Sequence, residues 1–235
     1  LMIADLESLE RRADQTAKKA KSGDKEAKEL MTVLEPVLAA LKAGKPARTA
    51  KPSDPATKKI FDGLQLLTSK PVLYVCNVEE GAAATGNSFS EKVAAKAKSE
   101  GAETVVISAA IEAEVAQLAD EAEQKEFLES LGLKETGLSQ VISAGYRLLD
   151  LITYFTVGPK EVRAWTIVKG TKAPQAAAVI HTDFEKGFIR AETIAFADFI
   201  ACKGEQGAKD AGKMRSEGKE YVVHDGDVLL FLFNV

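Results

Sequence analysis

The chain has 235 residues, 46% of them apolar and 28% charged, with a net charge of −4. That is enough apolar material for two or three compact units. No apolar run nears the roughly 18 residues of a membrane span, no signal-peptide pattern opens the chain, and two cysteines (Cys76, Cys202) make neither a disulfide framework nor a metal cluster, so a cytoplasmic setting with buried thiols is expected.

Charge is unevenly spread. Residues 1–70 carry 14 basic and 10 acidic side chains, 71–150 carry 6 and 14, and 151–235 carry 11 and 11. The chain opens on Leu1, already inside a helical pattern, and so reads as a fragment. Apolar side chains recur at helical spacing in Ile3, Leu6, Leu9 and Ala13, then in Ala27, Leu30, Leu34, Val37 and Leu41. Ser22-Gly23 suits a helix end and Asp24 a helix start, which predicts a hairpin with a narrow seam and charged outer faces. Pro36 should kink the second helix or move its start. Asp54-Pro55 is a cap and first-turn pair for a third helix carrying Ile60, Phe61, Leu64 and Leu67.

From Pro71 the pattern changes to strand VLYVCN, a helix capped near Ser88 or Ser90 and ended at Gly101, strand TVVIS, and more helix. Strands apolar on both faces that alternate with helices predict a parallel sheet, and ligands sit outside the carboxyl ends of such strands. Asn77 and Ser108 occupy those ends. From Leu151 follow strand ITYFTV, a GPK turn, strand VRAWTIV, a helix starting APQ, strand GFIRAETI, a short helix near FADFI, a glycine-rich polar loop and strand DVLLFLF. This is an α+β unit of the ubiquitin-like β-grasp type. The fold class is therefore α/β plus α+β.

One stretch has the spacing of a phosphate loop. Gly207 to Met214, GAKDAGKM, has the GxxxxGK spacing, but Met214 stands where a Ser or Thr hydroxyl must hold Mg²⁺, and no strand feeds the first glycine. No Asp is followed three residues later by Gly, so a DxxG switch is missing too. No triphosphate-hydrolysing centre is expected in this chain, and no metal site.

Asn77-Val78-Glu79-Glu80 carries a second possibility. A carboxamide offers one acceptor and two donors, the complement of a purine's Hoogsteen edge. Guanine readers place a lysine after the Asn and a carboxylate three residues on. Here Val78 replaces the lysine and Glu80 sets its carboxylate one methylene further out, which should relax guanine preference and tolerate adenine. The small-residue turn Ser108-Ala109-Ala110 would let backbone N–H groups approach the base from the other side. The plainer alternatives are a strand ending in a polar turn and a strand-to-helix turn capped by Ser108.

NVEE, then SAA some thirty residues on, then GLSQVISAGYRLLDLITYF, KEVRAWTIVKG, APQAAAVIHTDFEKGFIRAE and the glycine-rich segment through VHDGDVLLFLFNV closely resemble the YchF-type, Obg-like P-loop ATPases. The resemblance runs from Leu1 to Val235 and implies three domains: a helical hairpin insertion over 1–70, the carboxyl-terminal part of a P-loop NTPase domain over 71–149, and a TGS β-grasp domain over 150–235. In that family the base-reading motif is NxxE, which Asn77, Val78 and Glu80 present, with Ser108, Ala109 and Ala110 closing the pocket. For the whole enzyme it implies ATP binding and slow hydrolysis with Mg²⁺, GTP used less well, and association with ribosomes. This chain lacks the phosphate loop and switches, so no nucleotide is expected to stay bound to it alone, and it is expected to be inactive by itself.

The last third suggests another activity. Lys203, Lys209, Lys213, Arg215 and Lys219 fall in one stretch against Glu205, Asp210 and Glu217, with Lys186 and Arg190 nearby in sequence. Such a strip suits RNA phosphates, or is a solvated loop. The alternative function is then a non-catalytic module of helical arm and β-grasp domain that binds ribosomal RNA or protein, with neither DNA nor membrane as partner. Trp165, Phe188 and Phe199 are expected in packing, and His181 and His224 at turns.

Overall fold

The structure, a computed structural model, describes residues 1–234. The chain divides into two compact units, Leu1–Val72 and Leu73–Val235.

The first unit is helical. Helix α1 (Met2–Lys21) turns at Ser22 to Asp24 into α2 (Lys25–Lys42), and α3 (Pro55–Asp62) follows. Asp24 caps α2 by accepting from the Ala27 N–H at 3.1 Å, and Asp54 caps α3 by accepting from the Thr57 N–H at 3.0 Å. Leu34, Val37, Leu41 and Phe61 fill the core as their spacing predicts. Helix α2 runs through Pro36, so the proline does not move its start. One expectation fails. Ile3 is 73% exposed, and the buried face of α1 is instead Asp5, Leu9, Ala13 and Thr16, a stripe at four-, four- and three-residue steps.

Asp5 is buried because it has work there: its carboxylate accepts from the Leu67 N–H (2.9 Å), the Thr68 N–H (2.8 Å) and the Thr68 hydroxyl (2.6 Å). Burial pushes this carboxyl up, but those three donors outweigh it and hold the group below its usual range. Thr68 in turn accepts from the Ala47 N–H, so one polar clamp closes the unit. The clamp also turns Leu66 inward and leaves Leu67 46% exposed, where the spacing had placed Leu67 in the core.

The second unit is mixed α/β. Strand β1 (Leu73–Asn77) leads through α4 (Ser88–Glu100) to β2 (Glu103–Ile107), and the two strands pair in parallel from Leu73 opposite Glu103 to Asn77 opposite Ile107. The α4 cap is Asn87, reciprocated by Ser90, rather than Ser88 or Ser90 alone, and Gly101 ends the helix at φ +68°. Helices α5 (Ala109–Val115), α6 (Glu121–Ser130) and α7 (Gly137–Leu148) follow.

A five-stranded sheet comes next. Strands β3 (Leu151–Val157) and β4 (Val162–Val168) form a hairpin; α8 (Ala173–Ile180) and α9 (Thr182–Lys186) precede β5 (Phe188–Ala195); α10 (Phe196–Ala201), α11 (Glu205–Asp210), β6 (Arg215–Glu217) and β7 (Asp227–Phe233) complete it. The order is β4-β3-β7-β5-β6, with β7 parallel to β3 and antiparallel to β5. One face buries Ile152, Tyr154, Ile167, Leu229 and Phe231 against α8; Ile194, Val228 and Ala208 anchor a second cluster on the other. The fully buried Tyr154 hydroxyl donates to the Ala176 carbonyl at 2.9 Å, and burial drives its pKa well above the ordinary phenol value.

The glycine-rich segment is not a loop: it forms α11 and β6. Gly207, first glycine of the GxxxxGK spacing, lies within α11, where a Cβ would collide with the Cys202 carbonyl, and Gly212 takes φ +68° just past that helix. Both glycines thus serve helix packing and termination. His181 caps α9, its Nδ1 accepting from the Asp183 N–H at 3.2 Å, and Nδ1 of His224 lies 3.1 Å from the Tyr221 hydroxyl. Phe188 is buried and Trp165 and Phe199 are packed against core clusters, as expected. Cys76 and Cys202 are partly exposed rather than buried, Cys76 because the two-stranded sheet leaves β1 uncovered along one edge.

Candidate functional site

Asn77 is the last residue of β1 and is exposed to solvent. Its side chain is held in a defined pose: Oδ1 accepts from the Ala109 N–H at 2.9 Å, linking the end of β1 to the start of α5 beyond the end of β2. The strands remain paired one step further, where the Val78 N–H donates to the Ile107 carbonyl at 2.8 Å. With one Oδ1 lone pair engaged, the amide keeps its second lone pair and two Nδ2 donors for a partner outside the sheet. A hollow of about 500 Å³ opens beside β1, walled by Val75, Asn77, Val78, Asn87 and Phe89 among others. Its wall does not include residues 108–110.

The turn that Asn77 holds is itself anchored. The Glu112 carboxylate accepts from the Gly137 N–H (2.7 Å) and the Leu138 N–H (3.0 Å), two donors that the first turn of α7 leaves without intrahelical partners. Only glycine fits at 137, where a Cβ would stand 2.7 Å from Cγ2 of Ile107. On the other side, Glu79 accepts from Nδ2 of Asn87 at 3.1 Å, tying the NVEE turn to the α4 cap. Asn87 and Glu112 are not among the site residues that the sequence singles out. The first had a signal in the Asn-x-x-Ser capping pattern; the second had none, because its partners lie 25 and 26 residues away.

The structure distributes the predicted residues unevenly. Asn77 and Ala109 meet. Val78 points into protein and is 9% exposed, so what it presents to a ligand is the rim of a packed side chain. Glu80 opens a short 3₁₀ turn, is exposed, and makes no side-chain hydrogen bond or ion pair among the described residues. Ala110 is exposed, and as second residue of α5 its N–H has no intrahelical acceptor. Ser108 stands at the N-cap of α5 without capping it. Its hydroxyl is buried with no hydrogen-bond partner, a state that costs roughly 1–3 kcal/mol and calls for a reason.

Several of the basic residues are engaged by acidic neighbours. Lys186 approaches Asp183, Arg190 approaches Glu192 at 3.4 Å and Lys213 approaches Asp198 at 3.4 Å. Arg215 lies 3.6 Å from Glu217, donates to the Tyr221 hydroxyl and faces the Tyr221 ring. Lys203, Lys209 and Lys219 are exposed and unpaired among the described residues. Asp227, 3% exposed, accepts from the Tyr221 hydroxyl at 2.7 Å; burial first, then that bond, raises the phenol pKa well above its usual value.

Against known proteins, residues 151–234 match the family YchF-GTPase_C, described as "Protein of unknown function (DUF933)". The whole chain is 54% identical over 235 residues to a protein of Haemophilus ducreyi named "Ribosome-binding ATPase YchF", and 50% identical over 237 residues to one of the same name from Bacillus subtilis. It spans 64% of the length of each. Among solved structures, the Schizosaccharomyces pombe YchF GTPase superposes with a TM-score of 0.84 at 35% identity, covering 98% of this chain and 63% of that one. A GTP-binding protein of Pyrococcus horikoshii OT3, at 18% identity and a TM-score of 0.52, shares the fold over 88% of this chain and 57% of its own.

Proposed function

This chain belongs to the YchF family, and from that premise we propose that it carries the base-reading half of a purine-nucleotide site together with ribosome-binding surfaces. In this reading Asn77 bonds the purine edge, Val78 abuts the base, Glu80 sets selectivity, and Ser108, Ala109 and Ala110 close the pocket. The carrying observation is the Asn77–Ala109 hydrogen bond, which poses a solvent-exposed carboxamide at a sheet rim through its oxygen and leaves the Nδ2 donors for another partner. The exposed, unpaired Glu80 carboxylate fits the same reading, since a bound base offers it a partner.

ATP is taken in preference to GTP. Guanine recognition needs a carboxylate close to the N1 and N2 protons, and Glu80 is one methylene longer than the residue that suits it. Mg²⁺ and the phosphates would be held by residues outside this chain, because none of its 235 residues form a phosphate loop. By itself the chain binds adenine weakly and hydrolyses nothing. Its three domains divide at about residues 70 and 150. The last is a TGS β-grasp domain, which the sheet order β4-β3-β7-β5-β6 supports: two hairpin strands, a helix, and a final strand inserted parallel to the first.

The test uses a chimera completing the chain with the amino-terminal part of a relative. Asn77→Asp keeps the acceptor for Ala109 but places charge where a purine presents N7, so ATP affinity falls at least about ten-fold, as loss of a bidentate base contact requires. Unchanged affinity refutes the assignment.

Ribosome association is the second part of the proposal, and the names of the relatives support it. Of the seven basic residues singled out in the carboxyl-terminal stretch, Lys203, Lys209 and Lys219 have no ion pair among the described residues and are open to phosphates, whereas Lys186, Arg190, Lys213 and Arg215 are engaged by neighbours. Binding to ribosomes that weakens steeply with salt is expected.

A further inference from the structure

We infer that the tip of the helical hairpin, from Lys18 to Lys28, is a docking surface for RNA backbone phosphates. The inference rests on the ribosome-associated reading and assigns it a surface that the carboxyl-terminal lysines do not supply.

Lys18, Lys19, Lys21, Lys25 and Lys28 crowd into eleven residues around the turn, opposed only by Asp24 and Glu26. All five are exposed, and none makes an ion pair or side-chain hydrogen bond among the described residues. One of the two opposing carboxylates is already engaged, since Asp24 accepts from the Ala27 N–H. Nearer the other end of the unit the pattern reverses: Lys42 pairs with Glu10 at 3.0 Å and Lys51 with Asp62 at 3.5 Å.

Folding does not account for these lysines. The buried seam stops at Thr16 and resumes at Ala27, so none of the five lysines contributes to the core. Lys18, Lys19 and Lys21 lie in the last turn of α1, where the helix dipole favours cations. Lys25 opens α2 and Lys28 stands one turn on, at the end where the dipole disfavours them. A polyanion relieves that repulsion and gains from all five ammonium groups. The occupant is RNA rather than a protein because the tip has nothing for a protein to bury: between residues 17 and 26 its only apolar side chains are Ala17 and Ala20, with none of the aromatic or aliphatic anchors that carry protein interfaces. Compact ammonium groups on mobile stems suit phosphates and carry no base readout.

The test measures binding of the full 235-residue chain to a protein-free RNA duplex and to intact ribosomes across a salt series. It compares the unaltered chain with K18Q/K19Q/K21Q/K25Q/K28Q, with the milder K25Q/K28Q, and with K203Q/K209Q/K219Q. The five-fold tip variant is expected to bind the duplex roughly ten-fold or more weakly at low salt, with a salt slope shallower by about 2 to 4, and K25Q/K28Q to fall between without a lower melting temperature. A tip variant that matches the unaltered chain on both targets overturns the inference while leaving the ribosome reading standing. Loss of ribosome binding with duplex binding intact overturns it in favour of an acidic protein partner. Failure of the unaltered chain to bind either target overturns both.

Discussion

Strand β1 in the two-stranded sheet carries Val75 at 46% exposure, whereas β3 in the five-stranded sheet carries Tyr154 at 0%. The five-stranded sheet is held as sheets usually are, by an apolar face buried against a helix, with α8 lying over Tyr154, Ile167 and Leu229. The parallel pair is held at its carboxyl ends by polar ties instead: Asn77 to Ala109, Val78 to Ile107, and Glu112 to the first turn of α7. A buried core resists substitution everywhere, while a rim built of hydrogen bonds can exchange donors and acceptors with a ligand and leave the core intact. That contrast suits the ligand site proposed at the rim.

The contrast can be broken by measurement. Tyr154→Ala removes a fully buried ring and its hydrogen bond to the Ala176 carbonyl, and should cost about 3–5 kcal/mol in denaturant unfolding. A cost near 1 kcal/mol would mean the five-stranded sheet does not depend on that core. Glu112→Ala should cost about 1–2 kcal/mol, because two partly solvated N–H groups lose a charged acceptor. Hydrogen exchange at Gly137 and Leu138 should quicken while exchange in β3 and β7 stays the same; equal quickening in both sheets would erase the distinction between them. Asn77→Ala should cost about 1 kcal/mol and Asn77→Asp close to none, since only the second keeps an acceptor for Ala109. If the two cost the same, the Ala109 bond does not hold the rim. Val75→Ala should be smallest, under about 0.5 kcal/mol, as expected of a half-exposed side chain on a sheet edge.

The polar clamp of the first unit sharpens the comparison with a pH dependence of known sign. The Asp5 carboxyl is held below its ordinary value in the folded state, so its contribution is present above an unfolded pKa of about 3.9 and is lost as pH falls through the lower folded value. Acid unfolding of the helical unit should therefore shift toward neutral pH in Asp5→Ala, and its stability should become flatter with pH in that window. An unaltered acid transition would mean that Thr68 and Leu67 do not depend on this carboxylate.

Much of this molecule was legible in the residue order. The hairpin turn, the caps at Asp24 and Asp54, the stop at Gly101 and all the major strands follow from periodicity and from side chains that bond their own backbone within three or four residues. Asn77 and Ser108 at strand ends were legible for the same reason: a strand's end is a local event. What failed was whatever depended on distant partners. Ile3 and Asp5 have similar claims to a helical stripe until Thr68, 63 residues on, supplies the donors that draw Asp5 inside. The glycine-rich stretch reads as loop until Gly207 is seen to allow α11 to sit against the Cys202 carbonyl.

The sequence by itself determined the element types outside the glycine-rich stretch, the absence of a phosphate loop and the residue types offered at the rim, because these rest on local propensity and on chemistry that each residue carries wherever it lies. The tertiary structure alone decided that Oδ1 of Asn77 faces Ala109 and that the Ser108 hydroxyl is orphaned. It also decided that Lys213 and Arg215 are engaged by neighbours while Lys203, Lys209 and Lys219 and the lysines of the hairpin tip make no ion pair among the described residues. The Asn77–Ala109 bond joins groups 32 residues apart, so its distance is fixed only when strand and helix have packed.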